Sequence, residues 1–213
     1  MFDSCTKNLE KGEEESRDDF LAYMEKWFVF SLIWSVCATV DENSRKNIDN
    51  VMRDIEAMFP HTNTVFEYYI NLEKKDWAPW EEKLTSSLKP KGKEFHEIMV
   101  PTVDTVRNRF VCEKLIDKNS QILFIGESGV GKTVLVEGVL TGLDALVMSF
   151  VINFSAGSSS EGLQSMIESY YDRRAKNKFM PKNSKTKAVC FIDDLNMPKK
   201  DTYGSQPPLE LIR

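Results

Sequence analysis

The chain has 213 residues, a formal net charge of -5 and 41% hydrophobic residues, enough for one large or two small domains with a buried core. Mild acidity excludes a general nucleic-acid binder, which would carry a clustered basic face. Four cysteines (Cys5, Cys37, Cys112, Cys190) without a C-x-x-C pair, beside only His61 and His96, give no support to a zinc site or a disulfide framework, so reduced, buried thiols are expected.

Residues 1–17 read as a polar N-terminal segment, solvated or frayed, with an acidic run from Glu13 to Glu15 and no apolar leader. From Asp18 the pattern turns helical. Ser16 or Asp18 is placed to cap it, and Phe20, Leu21, Met24, Trp27, Phe28 and Ser31 recur at helical spacing. The apolar run from Trp27 to Val40 would span only about 21 Å as a helix. The hydrocarbon layer of a bilayer is roughly 30 Å thick, so a buried helix is expected and no membrane span.

A second helix is predicted from Glu42 to Met58, with Ile48, Val51, Met52 and Ile55 on one face and Pro60 ending it. The segment from Thr64 to Leu84 reads as a short extended stretch followed by a turn, with Trp77 and Trp80 bracketing Pro79 as core anchors. Lys89–Lys93, KPKGK, is a linker signal, and the whole of 18–93 is expected as a mostly helical extension.

In 94–213 the elements alternate. Thr102–Ile116 is predicted helical, with Val103, Val106, Phe110 and Leu115 near one face. Gln121–Ile125 is predicted as a strand, Lys132–Leu140 as a helix and Val147–Phe154 as a strand. A helix over Glu161–Arg174 and a strand over Ala188–Ile192 follow. Apolar strands separated by helices imply an α/β fold, a parallel sheet with helices on both faces. The strongly basic stretch from Asp172 to Lys187 contains one aromatic, Phe179, so it offers no stacking platform for nucleic acid and is expected as a solvated loop.

Between the first predicted strand and the helix at Lys132 lies GESGVGKT: Gly126, Glu127, Ser128, Gly129, Val130, Gly131, Lys132 and Thr133. Every fixed position of G-x-x-x-x-G-K-[ST] is filled, in the strand–loop–helix context that a phosphate-binding loop requires. The glycines let consecutive N–H groups turn inward. The helix N-terminus adds about half a positive charge. Lys132 is expected to reach the β- and γ-phosphates, and the Thr133 hydroxyl to bind magnesium. Sixty-one residues beyond Lys132, AVCFIDD places Asp193 at the carboxyl end of an apolar strand, facing the magnesium shell opposite Thr133, with Asp194 next to it.

VPTVDTVRNRF (Val100–Phe110), the phosphate loop, INFSA (Ile152–Ala156) and FIDDLNMPKKDTYGSQPPLELIR (Phe191–Arg213) follow in this order, and together they resemble the third AAA+ module of axonemal dynein heavy chains. FVFSLIWSVCATVDENSRKNID (Phe28–Asp49) and DWAPWEEK (Asp76–Lys83) resemble the extension that precedes that module. The resemblance implies an incomplete P-loop AAA+ sheet of order 5-1-4-3-2, of which the chain supplies strands one, two and three. It implies ATP and Mg2+ as ligands, with Val100, Pro101 and Thr102 approaching the adenine. Asp194 takes the water-activating position where AAA+ proteins usually carry glutamate. Glu127, Ser128 and Val130 depart from the family's usual G-P-T-G-T-G-K, and Glu127 puts a negative charge near the phosphates.

Also implied is a parent motor ATPase, moving toward microtubule minus ends in cilia or flagella, with this module as a regulatory site. Its partners would be neighbouring AAA+ modules, dynein intermediate and light chains and microtubules, in the cytoplasm, cytoskeleton and axoneme. Another P-loop NTPase, or a truncated nucleotide-binding fragment without turnover, are the alternatives.

Overall fold

The computed structural model describes residues 1–6, 9, 16–55, 59–60, 62–84 and 100–213. The predicted linker at Lys89–Lys93 lies outside the described residues. Two compact units result, Met1–Ile125 and Gly126–Arg213.

The first unit opens on a short helix, α1 (Phe2–Thr6), where a solvated start was expected. Its Cys5 is buried, and the Phe2 ring meets Phe28 edge-on at 6.2 Å. Apolar Met1, Phe2 and Leu9 give this otherwise polar stretch something to bury. Helix α2 (Arg17–Ser35) begins at Ser16, whose side chain accepts the Asp19 N–H at 3.1 Å. Tyr23, Trp27, Phe30 and Trp34 recur at 4-3-4 spacing and are buried, as is Ile33. This helix is long and apolar enough to cross a membrane by length and composition; its Tyr23, Trp27, Val29, Phe30, Ile33 and Trp34 are buried in the core of this unit, while Leu21 and Phe28 are exposed.

Helix α3 (Glu42–Ile55) keeps Met52 inside and leaves Val51 exposed, so the predicted apolar face is narrower than its sequence suggests. Asp49 and Arg53 fasten its end to the chain that follows. The Asp49 carboxylate accepts from Val65 N–H at 2.7 Å, and Arg53 donates to the Pro60 carbonyl at 2.7 Å. The predicted extended stretch and turn form a hairpin, β1 (Tyr68–Asn71) against β2 (Asp76–Pro79). The Asn71 side chain accepts the Glu73 and Lys74 N–H groups across its turn.

Helix α4 (Val103–Asp117) starts in a reciprocal Thr102–Thr105 cap. Trp80 is fully buried, and the rings of Phe30, Trp34, Tyr69 and Phe110 surround it at 5.0 to 6.5 Å. Both tryptophans are core anchors, as expected. Arg107 is a buried cation that the sequence did not announce. It pairs with Glu67 at 3.1 Å and with Asp104, and lies over the Trp34 ring. Cys112 is also buried, and burial pushes its thiol up to about 11. All four cysteines are free thiols, yet Cys190 is exposed and Cys37 only half-buried, so the expectation of burial holds for Cys5 and Cys112 alone.

The second unit pairs β3 (Val147–Asn153) with β6 (Lys187–Asp193) in parallel, in register from Val147 opposite Lys187 to Asn153 opposite Asp193. Helices α5 (Lys132–Thr141), α6 (Ser160–Ser169) and α7 (Pro207–Ile212) complete it. Its core is Phe150, Ile152, Phe154 and Leu163. Gln121–Ile125 is not a strand, contrary to the prediction, and no described residue ladders with it. In a 5-1-4-3-2 order the first strand neighbours neither the second nor the third, and an apolar segment becomes a strand only where it has a partner.

The expected loop over Asp172–Lys187 instead contains a hairpin, β4 (Tyr171–Ala175) and β5 (Lys178–Pro181). Arg173 donates across its turn to the Lys176 carbonyl at 2.7 Å. For the same reason α6 stops at Ser169, short of the predicted Arg174. Tyr170 stacks on Phe150 at 4.0 Å, and the following residues go into β4.

Candidate functional site

Residues 126–133 form a turning loop that runs directly into α5. Gly129 and Gly131 both have φ of +82°, a left-handed conformation that side-chain-bearing residues rarely adopt. Gly131 is the N-cap of α5, and no side chain caps that helix. Its first-turn N–H groups therefore have no side-chain acceptor, which leaves a cluster of donors at the positive end of a ten-residue helix.

Lys132, the first residue of α5, folds its ammonium back over the loop. It donates to the Gly126 carbonyl at 2.9 Å and to the Glu127 carbonyl. The cation is thus held at the mouth of the same loop whose backbone supplies the N–H donors. Glu127, Ser128 and Val130, the positions that depart from the family pattern, are all exposed on this loop.

One residue further on, the Thr133 hydroxyl donates to Asp193 Oδ2 at 2.8 Å. Asp193 is the last residue of β6, and its other carboxylate oxygen accepts the Asp194 N–H at 3.0 Å. Both partners are half-buried. Two hard oxygen donors from separate elements converge there, the kind of set that Mg2+ takes from protein when phosphates and water complete its shell. The residues present therefore fit a magnesium-bound nucleotide.

Asp194 is exposed and has φ of +53°, an uncommon conformation for a residue other than glycine. Its carbonyl accepts the Met197 N–H at 2.9 Å. Beyond it, Gln206 donates through Nε2 to the carbonyls of Asn196, at 3.1 Å, and Pro198. In the sequence Gln206 stands only within the Phe191–Arg213 run that carries the family resemblance, with no role of its own. The structure thus brings Gly126–Thr133, Asp193 and Asp194 into one unit. Val100, Pro101 and Thr102 belong to the other unit, where Thr102 caps α4.

A helix-opening hydroxyl bonded to a strand-end carboxylate, behind a glycine-turned loop, is how P-loop proteins assemble a nucleotide phosphate site, and the chain is of that class. Comparison with known proteins narrows the class. Residues 88–213 match the family described as P-loop containing dynein motor region, and residues 1–82 match the dynein heavy chain AAA lid domain. The chain belongs to the axonemal dynein heavy chains. It is 46% identical over 198 residues to dynein axonemal heavy chain 2 of Mus musculus, covering 92% of this chain and 4% of that protein. It is 47% identical over 192 residues to the dynein-1-beta heavy chain, flagellar inner arm I1 complex, of Chlamydomonas reinhardtii, covering 89% and 4%. With dynein axonemal heavy chain 3 of Homo sapiens it shares 33% over 229 residues, covering 97% and 6%. The chain therefore spans about one twenty-fifth of the length of the first two relatives.

Proposed function

We propose that this chain forms the nucleotide site of the third AAA+ module of an axonemal dynein heavy chain, with the lid-like segment before it as the extension from the preceding module. The observation that carries the reading is the Thr133–Asp193 hydrogen bond at 2.8 Å, which joins the phosphate loop to the carboxylate at the end of β6. ATP binds with its phosphates against the backbone of Gly126–Thr133. Lys132 leaves the Gly126 and Glu127 carbonyls for the β- and γ-phosphate oxygens. Thr133 and Asp193 would hold Mg2+, which when bound would supply charge neutralisation at the phosphates. Val100, Pro101 and Thr102 approach the adenine.

Asp194 orients the attacking water and accepts its proton as the water oxygen bonds to the γ-phosphorus and the bond to ADP breaks. The finished AAA+ sheet is the P-loop arrangement with helices on both faces. Within the parent, a microtubule minus-end-directed motor of cilia or flagella, this module acts as a regulatory site. Its nucleotide state biases conformational change passing to neighbouring AAA+ modules. Intermediate and light chains and microtubules are partners of that parent in the axoneme.

A second reading, binding without turnover, is favoured by the exposed Asp194, one methylene shorter than the usual glutamate. Titration of the Lys132→Ala variant with a fluorescent ATP analogue tests the site. Losing the cation removes a charge-assisted contact to the phosphates, on the order of 1.5–3 kcal/mol, so affinity at this module should fall by roughly ten- to a hundredfold. Unchanged affinity would refute the phosphate-loop assignment.

A further inference from the structure

The segment from Asp194 to Gln206 looks at first like an ordinary connection between β6 and α7, but it is closed on itself by two side chains. Asp201 accepts the Tyr203 N–H at 2.8 Å and the Ser205 N–H at 2.9 Å on Oδ1, and the Ser205 hydroxyl at 2.6 Å on Oδ2. The Asp201 N–H donates to the Ser205 carbonyl at 2.8 Å. Together these fold 201–205 into a tight turn, with Gly204 at φ of +83°. The turn returns the chain to the beginning of the loop, where Gln206 Nε2 donates to the Asn196 and Pro198 carbonyls. The next two residues, Pro207 and Pro208, open α7, and Pro208 is fully buried. Gln206 is thus anchored on one side by a packed proline and grips the loop on the other.

Between those two gripped carbonyls sits Met197, whose N–H donates to the Asp194 carbonyl at 2.9 Å. Among the described residues, the links that hold Asp194 in its left-handed conformation are local: its own N–H to the Asp193 carboxylate and its carbonyl to Met197. A conformation of that kind costs on the order of 1–3 kcal/mol and persists where surrounding structure enforces it. We propose that Gln206 is a positioning residue for hydrolysis at this site: by clamping Asn196–Pro198 it holds Asp194 in the backbone conformation that aims its carboxylate at the attacking water. This rests on the role given to Asp194 above.

The chemistry of the clamp dictates the variant. Gln206→Glu keeps length and shape but replaces an N–H donor facing two carbonyls with a carboxylate that both repel. In the full-length heavy chain, with the other nucleotide sites blocked, single-turnover hydrolysis should slow at least tenfold in Gln206→Glu and in Gln206→Ala. Affinity for the fluorescent ATP analogue should stay within about twofold, because the phosphate loop and Asp193 are untouched. Hydrogen exchange at the Met197 amide should accelerate while the amides of β6 remain protected. Wild-type turnover in Gln206→Glu, alongside slowed turnover in Asp194→Asn, would overturn the positioning role and leave the site reading intact. Loss of ATP-analogue affinity or of β6 protection in both glutamine variants would make Gln206 a folding residue and overturn it too. Unchanged turnover in Asp194→Asn would remove the base itself, and the proposal with it.

Discussion

At the scale of residues, the two neighbouring aspartates are chemically alike and differ in where the backbone puts them. Asp193 ends β6 and has both oxygens engaged, by Thr133 and by the Asp194 N–H. Asp194 leaves the strand in a left-handed turn and is exposed. Asn at 193 removes a charged metal ligand, so nucleotide affinity in the presence of magnesium should fall. Asn at 194 should leave that affinity nearly intact and slow turnover by about 10²-fold or more, the usual contribution of a positioned general base. Titration and single-turnover measurements on the pair decide the matter. Equal losses of affinity would make Asp194 a metal ligand and reverse the two roles. These aspartates and the phosphate loop were legible in the sequence because glycine, lysine and acid positions are fixed by covalent geometry and charge. Gln206 was not, because its work is done on carbonyls eight and ten residues away, and no periodicity reports such a contact.

At the scale of elements, what could be read depended on whether the element's cause was local. Helix α2 begins where Ser16 caps it, and α4 begins at its threonine cap, since capping and helical spacing are properties of consecutive residues. Gln121–Ile125 has a strand's composition and no ladder, and the basic stretch after α6 has a loop's composition and forms a hairpin. Pairing is a tertiary event in both, so composition misleads in both directions. The tryptophans were readable as anchors, and they allow a stability test. Trp80 lies at 0% exposure amid four aromatic rings. Trp80→Ala should therefore destabilise the first unit by about 3–5 kcal/mol. Trp80→Phe should cost clearly less. It leaves a smaller cavity, and the indole N–H that it removes is buried with no partner among the described residues. Chemical denaturation followed by far-ultraviolet circular dichroism measures both. Equal costs for the two variants would mean that the ring cluster is not what holds α2 to the hairpin and α4.

At the scale of the whole molecule, the phosphate site and the sheet that should support it are unequally built. The loop, Thr133 and Asp193 are in place, yet among the described residues β3 and β6 ladder only with each other. Each therefore has one edge on which no described strand ladders, and Leu123 and Ile125 of the non-strand segment are 67% and 87% exposed. Open strand edges and exposed apolar side chains each favour association between chains. Catalysis also requires the phosphate cradle and the metal ligand to be held within about 0.5 Å of the productive geometry. The Thr133–Asp193 hydrogen bond, with β6 laddered on β3 alone among the described residues, is a weak constraint at that tolerance. In related NTPases an arginine from a neighbouring module adds about 10³–10⁵ in rate, and the reading of this chain as one AAA+ module assigns that arginine to a neighbour. The 213-residue chain expressed by itself should therefore bind nucleotide weakly, self-associate in size-exclusion chromatography and show no steady magnesium-dependent turnover. Hydrogen exchange should find the Gln121–Ile125 amides unprotected and the β6 amides protected. A monomer with a strongly protected Gln121–Ile125 segment and sustained ATP turnover would show that the two-stranded ladder is not the limit on the site, and that the phosphate loop gains its rigidity by another route.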